Sequence, residues 1–209
     1  MVNDTRLRGL YAITGRQLAA AGDLAWQVEQ ALLGGARIVQ YRDKGSDYQR
    51  RRTEAQALLR CCRRHSAPLI INDDVELAAE IGADGVHLGS EDTEPAAARR
   101  RLGPNALIGL SCYNDLKRAL AAQEAGADYV AFGSFFSSPT KPAAAPADLG
   151  LLYRARQQLT VPIVAIGGIN ADNGAQLVWA GADMLAVISG VFGQPDIAAA
   201  AEKISRLFD

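Results

Sequence analysis

Four short stretches of this chain repeat one pattern, and their spacing leaves few architectures open. Gly35-Ala36-Arg37-Ile38-Val39, Gly82-Ala83-Asp84-Gly85-Val86, Gly126-Ala127-Asp128-Tyr129-Val130 and Gly181-Ala182-Asp183-Met184-Leu185 each place a Gly, an Ala and usually an Asp ahead of an apolar run. A Gly there suits the left-handed turn that ends a helix, and the apolar run suits a buried strand. The four recur at intervals of roughly 45 to 55 residues, too long for one βα unit of about 30 residues and right for two short ones.

The intervening strands are found at Leu10-Tyr11-Ala12-Ile13-Thr14, Pro68-Leu69-Ile70-Ile71-Asn72, Leu107-Ile108-Gly109-Leu110-Ser111 and Pro162-Ile163-Val164-Ala165-Ile166. Amphipathic helical runs separate them: Leu24 to Leu33, Tyr48 to Arg64, Glu94 to Leu102, Leu116 to Ala125, Gly150 to Gln158, Gly174 to Trp179 and Ile197 to Phe208. Eight strands alternating with helices predict a parallel sheet closed into a single α/β (β/α)8 TIM barrel over residues 1–209. With 49% apolar residues and no shift in composition, the chain fits one domain with a sizeable core.

Acidic and basic residues nearly balance, 23 against 22, so no broad basic field addresses nucleic acid or an anionic membrane. The first residues contain no apolar leader run and no later run approaches a membrane span, which predicts a cytoplasmic protein. Cys61 and Cys62 are adjacent and Cys112 is distant, which is neither a disulfide framework nor a zinc spacing. His65 and His87 are the only histidines, so a His-rich metal site is excluded.

In a barrel of this class chemistry sits at the carboxyl ends of the strands. At the second strand, alternation puts Gln40, Arg42 and Lys44 on one side and Tyr41 and Asp43 on the other. Two cations and a carboxamide suit a phosphate or diphosphate. The third strand stops at Asn72-Asp73-Asp74. Asp74 serves as N-cap of a helix from Val75, while Asp73, with Asp92 after the fourth strand, offers hard oxygen ligands for a divalent cation, Mg²⁺ being the natural choice. The metal would reconcile these carboxylates with a neighbouring diphosphate. His87 either lines the barrel interior or touches substrate. Ser111 either donates to phosphate or caps the helix beginning near Asn114. The long loop after the sixth strand carries Ser138, Thr140 and Lys141. Gly168 and Ser189, after strands seven and eight, occupy the usual phosphate corner of the fold. A monophosphate subsite beside a metal-assisted diphosphate subsite implies displacement of diphosphate by the second substrate.

These residues carry a resemblance to the thiamine-phosphate synthase family along nearly the whole chain: Gln40 to Lys44, Ile71 to Asp74, His87-Leu88-Gly89 with Asp92, Ser111, Thr140-Lys141, Ile166 to Ile169 and Val187 to Ser189. The resemblance implies that Gln40, Tyr41, Arg42, Asp43, Lys44, Asn72, Ser111 and Lys141 hold hydroxymethylpyrimidine diphosphate, and that Asp73 and Asp92 hold Mg²⁺. It implies that Ser138, Pro139, Thr140, Gly168, Ile188 and Ser189 hold the thiazole phosphate. Diphosphate release, helped by Arg42, Lys44, Ser111 and Lys141, would then give thiamine monophosphate, with loss of CO₂ where the thiazole is carboxylated. Ser90 stands where the family often has Gln, and Ser137-Ser138-Pro139-Thr140-Lys141 shifts the proline of the usual thiazole-phosphate loop. A thiazole tautomerase of the same fold, another phosphate-handling barrel and a non-catalytic binder of thiamine precursors are the rival readings. The joint presence of Arg42, Lys44, Asp73, Asp92 and Lys141 favours the synthase.

Overall fold

The computed structural model describes residues 7–15, 23–137 and 147–209. Strands β1 (Gly9–Ile13), β2 (Ile38–Tyr41), β3 (Leu69–Asn72), β4 (Gly85–Leu88), β5 (Leu107–Tyr113), β6 (Tyr129–Phe132), β7 (Ile163–Ile166) and β8 (Met184–Val187) pair in chain order. All are parallel, and β8 returns to β1 to close the barrel. The helices are α1 (Leu24–Leu33), α2 (Tyr48–Arg64), α3 (Val75–Ile81), α4 (Pro95–Leu102), α5 (Leu116–Glu124), α6 (Leu149–Gln158), α7 (Ala175–Trp179), α8 (Ser189–Phe192) and α9 (Ile197–Ser205). The final run expected as one helix divides at Ser205 into α9 and a 3₁₀ turn, Arg206–Phe208.

Aspartates set most helix starts. Asp23, Asp47, Asp74, Asp115, Asp148 and Asp196 each accept a hydrogen bond from a first-turn amide of α1, α2, α3, α5, α6 and α9 respectively. Asp74 thus takes the capping role expected of it, with Leu77 N–H donating at 2.9 Å.

The repeat has a physical basis at the amino-terminal end of the barrel. Its glycines, Gly35, Gly82, Gly126 and Gly181, all have positive φ, as the helix-ending turn requires. Its aspartates lace strands together: Asp84 accepts from Leu69 N–H at 2.8 Å, Asp128 from Ile108 N–H at 2.7 Å and Asp183 from Ile163 N–H at 2.8 Å. Each carboxylate reaches back to the start of the preceding strand, where the ladder would otherwise leave an unpaired amide.

Two apolar layers result. Tyr11, Ile13, Ile38, Ile70, Leu107, Tyr129, Val164 and Met184 fill the barrel interior. The opposite strand faces, including Leu10, Val39, Tyr41, Ile71, Val86, Val130 and Leu185, pack against the helices. Because both faces are covered, the strands are almost wholly buried, and polar residues surface only where strands end.

Candidate active site

The carboxyl end of β2 divides its residues as strand alternation requires. Gln40 is 2% exposed and turns into the barrel, where its amide donates to Tyr11 OH at 2.7 Å. Tyr41 turns outward and donates its hydroxyl to Glu54 of α2 at 2.7 Å. Asp43 pairs with Arg50 of the same helix at 2.6 Å. The side chains of Tyr41 and Asp43 therefore brace the loop against α2, and only the backbone of this pair is left to meet a ligand in the mouth.

Arg42 is anchored by its amide, which donates to the buried Thr14 Oγ1 at 2.9 Å. Its half-buried guanidinium has no partner among the described residues. Two residues on, the Lys44 ammonium forms an ion pair with Asp73. A guanidinium without a carboxylate, next to an exposed ammonium, leaves positive charge available for an anion.

Asp73 follows β3 with φ 63°, in the left-handed region that Asp and Asn tolerate better than most residues. Its amide donates to His87 O at 2.9 Å, which brings it to the end of β4. Asp92 folds back over the same strand end and accepts from Gly89 N–H at 2.6 Å. Asp73 Oδ2 meets Lys44 and Asp92 Oδ2 meets Gly89, so each carboxylate retains a second oxygen, a donor set that suits a hard cation. Asn72 ends β3 half-buried, in register with His87.

Ser111 does not cap a helix. Asp115 caps α5, accepting from Lys117 and Arg118 N–H, and the helix begins at Leu116. Ser111 Oγ instead lies 2.9 Å from His87 Nε2. His87 stacks on Tyr129 with ring centroids 5.7 Å apart and its Nδ1 lies 3.3 Å from the Tyr129 hydroxyl, which is 2.8 Å from Tyr11 OH. Gly109 leaves room for the Tyr129 ring, since a side chain there would run into it. A polar chain thus crosses the interior from Gln40 to Ser111 beneath the mouth. Burial pushes the phenols of Tyr11 and Tyr129 far up, so both stay neutral. This chain is the part of the site that strand-by-strand reading misses: Tyr11 and Tyr129 look like core aromatics until barrel closure brings them together. Above it, Ser90 Oγ lies 3.1 Å from the hydroxyl of Tyr113, whose ring is covered by Arg118 at 5.5 Å.

Across the mouth, Gly168 has φ 63° and its Cα faces Phe136 and Ser137 of the loop after β6, leaving no space for a side chain. Ile188 is the N-cap and Ser189 the first residue of α8, whose opening amides have no intrahelical acceptor. Ser138, Pro139, Thr140 and Lys141 lie outside the described residues.

One other group of donors comes together among the described residues, Glu29, Cys61 and His65 between α1 and α2. Arg64 Nη2 lies 3.0 Å from Glu29 Oε1, and burial raises the Cys61 thiol above its ordinary range. The guanidinium would repel a cation placed there and the neutral thiol would be a poor ligand for it, so this is an ion-paired helix contact.

The sequence model of the family described as thiamine monophosphate synthase matches residues 10–191, from β1 through the mouth to α8. The chain belongs to this family. It is 56% identical over 202 residues to the thiamine-phosphate synthase of Nitrosococcus oceani, covering 97% of this chain and 93% of that one. It is 52% identical over 204 residues to that of Thioalkalivibrio sulfidiphilus, covering 98% and 97%. Among solved structures, the thiamine phosphate pyrophosphorylase from Pyrococcus furiosus superposes with a TM-score of 0.87 at 35% identity, covering 99% of this chain and 98% of that one. Family membership makes the chain an enzyme, a transferase, and the residues just described lie at the carboxyl ends of the strands, the end at which (β/α)8 barrels as a class carry their chemistry.

Proposed function

We propose that this chain makes thiamine monophosphate by joining hydroxymethylpyrimidine diphosphate to a thiazole phosphate, with release of diphosphate. The observation that carries the reading is the half-buried guanidinium of Arg42, without a partner among the described residues, two positions from Lys44, whose ammonium pairs with Asp73 at the end of β3, the strand next to the one that Asp92 folds back over. Two carboxylates near one guanidinium without a carboxylate and one exchangeable ammonium fit a diphosphate bound with a metal better than a monophosphate alone.

The chemistry asks little covalent work of the protein. Departure of diphosphate leaves a pyrimidinylmethyl cation stabilised by the amino group of its own ring, and the thiazole nitrogen then attacks the methylene carbon. Arg42 and Lys44 stabilise the negative charge that develops on the leaving group, and Ser111 donates a hydrogen bond to it. Lys44 reaches that charge by leaving Asp73, an exchange made cheap by its exposure to solvent. Mg²⁺ on Asp73 and Asp92 would supply further neutralisation of the diphosphate when bound. Gly168 and the opening amides of α8 seat the thiazole phosphate, so that both reactants are held together before the bond breaks.

The test mixes the protein with both substrates and Mg²⁺, following diphosphate and thiamine monophosphate together, with a chelator control. Equal yields of the two products, lost on chelation, are expected. An intact diphosphate alongside an isomerised thiazole would replace this reading with the tautomerase.

A further inference from the structure

The Ser111–His87 contact resembles a nucleophile and its base, yet the buried chain behind it orders the proton the other way. Each hydroxyl in that chain has one proton to give. Tyr11 is 1% exposed, and its hydroxyl meets only Gln40 and Tyr129 among the described residues. The Gln40 amide N–H donates to the Tyr11 oxygen at 2.7 Å, so among the described residues the proton of Tyr11 has one acceptor in reach, the Tyr129 oxygen at 2.8 Å. Tyr129 then donates to His87 Nδ1 at 3.3 Å. A neutral imidazole that accepts at Nδ1 carries its hydrogen on Nε2. Nε2–H therefore donates to Ser111 Oγ at 2.9 Å, and Ser111 keeps its own proton for a group in the mouth.

We propose that His87 is a positioning residue, held as the neutral Nε2–H tautomer by Gln40, Tyr11 and Tyr129, and that it fixes Ser111 as a hydrogen-bond donor to the departing diphosphate. The identity of the acceptor rests on the synthase reading, while that of the tautomer rests on the interior chain. A diphosphate offers only acceptor oxygens, so it is served by a hydroxyl whose lone pair is already occupied from behind and whose proton is free to turn outward. The opposite proton order would spend the Ser111 hydrogen on the imidazole and present bare lone pairs to an anion. His87 transfers no proton in this role, and Ser111 forms no covalent bond.

With only two histidines in the chain, imidazole ¹⁵N NMR of the labelled, ligand-free protein resolves the question directly, a His65→Gln variant assigning the signals. The His87 ring is expected at neutral pH with Nε2 protonated and Nδ1 bare. An Nδ1–H ring or an imidazolium would overturn the proposal. Tyr129→Phe, which keeps the ring and removes the donor to Nδ1, should loosen the tautomer preference. It should also lower kcat about tenfold, the loss expected for one misdirected hydrogen bond to a charged acceptor, with KM for the thiazole phosphate unchanged. His87→Gln, whose amide N–H can replace Nε2–H, should retain more activity than His87→Ala. Equal, wild-type kcat in both would sink the positioning role. Absence of thiamine monophosphate from the wild-type protein would count against the synthase reading instead, leaving the tautomer measurement to stand by itself.

Discussion

Lys44 and Asp73 are paired in this structure, and the value of the pair to folding differs from its value to the reaction. The Lys44 side chain is 61% exposed, so solvent screens the ion pair and it contributes about 1 kcal/mol or less to stability. Lys44→Ala is expected to leave the denaturant midpoint nearly unchanged and to lower kcat/KM for the pyrimidine diphosphate by about 100-fold, the loss of one charge-assisted contact to the leaving group. Steady-state kinetics beside urea unfolding checks both halves. Asp73 calls for a different substitution. Because it sits at φ 63°, Asp73→Ala would mix a backbone cost of about 1 kcal/mol with loss of the carboxylate. Asp73→Asn keeps a side chain that tolerates the left-handed region and removes the charge. It is expected to unfold like the wild type while turnover falls at least about 100-fold. Wild-type turnover in Asp73→Asn would remove Asp73 from the metal set.

The repeated unit before each even-numbered strand separates stability from chemistry, because it lies at the end of the barrel away from the mouth. Gly126 has φ 85° and nothing within 4 Å of where a side chain would begin, so Gly126→Ala meets a conformational penalty with no clash. A loss of about 1 to 2 kcal/mol is expected, read as a lower midpoint in chemical denaturation. Asp84→Asn weakens the charge-assisted bond to Leu69 N–H and should lose about 1.5 kcal/mol. Both variants should keep wild-type kcat at a temperature where they remain folded. A fall in kcat without a fall in stability would mean that the two ends of the barrel are coupled. Arg37 takes the Asp position in the first copy of the repeat, and its stem packs where a side chain on Gly9 would begin. That copy therefore trades a carboxylate tie for an aliphatic contact.

For the whole molecule, the proposed metal and diphosphate are linked ligands, each completing the site of the other. Inorganic diphosphate with Mg²⁺ is expected to raise the melting temperature, and either one alone to raise it much less. Ligand at about 100 times its dissociation constant adds about 2.7 kcal/mol to the folded state. Thermal unfolding with each component singly and together measures this coupling. An equal shift with diphosphate in the presence of chelator would contradict the carboxylate pair as a metal bridge. Among the described residues no helix is long and apolar enough to cross a membrane, in keeping with the absence of such a run in the sequence.

The sequence by itself determined the barrel, because local periodicity and turn chemistry suffice for that. The four Gly-Ala-Asp units, the buried apolar runs and the amphipathic stretches are all short-range signals, and the eight strands and most helix bounds follow from them. It also located residues at the strand ends, since a polar group ending a buried strand is visible without knowing its neighbours: Arg42, Lys44, Asn72, Asp73, Asp92 and Ser111 were legible in this way, whereas Gln40, read on one side with Arg42 and Lys44, is buried in the interior against Tyr11. The partnerships were decided only by closure. Gln40, Tyr11, Tyr129, His87 and Ser111 come from five strands and meet because the interior of an eight-stranded barrel is narrow enough for side chains to touch across it. The same closure lays Lys44 on Asp73 and turns Tyr41 and Asp43 toward α2. Contacts between residues distant in the chain depend on strand order and register, and those become fixed only when β8 returns to β1.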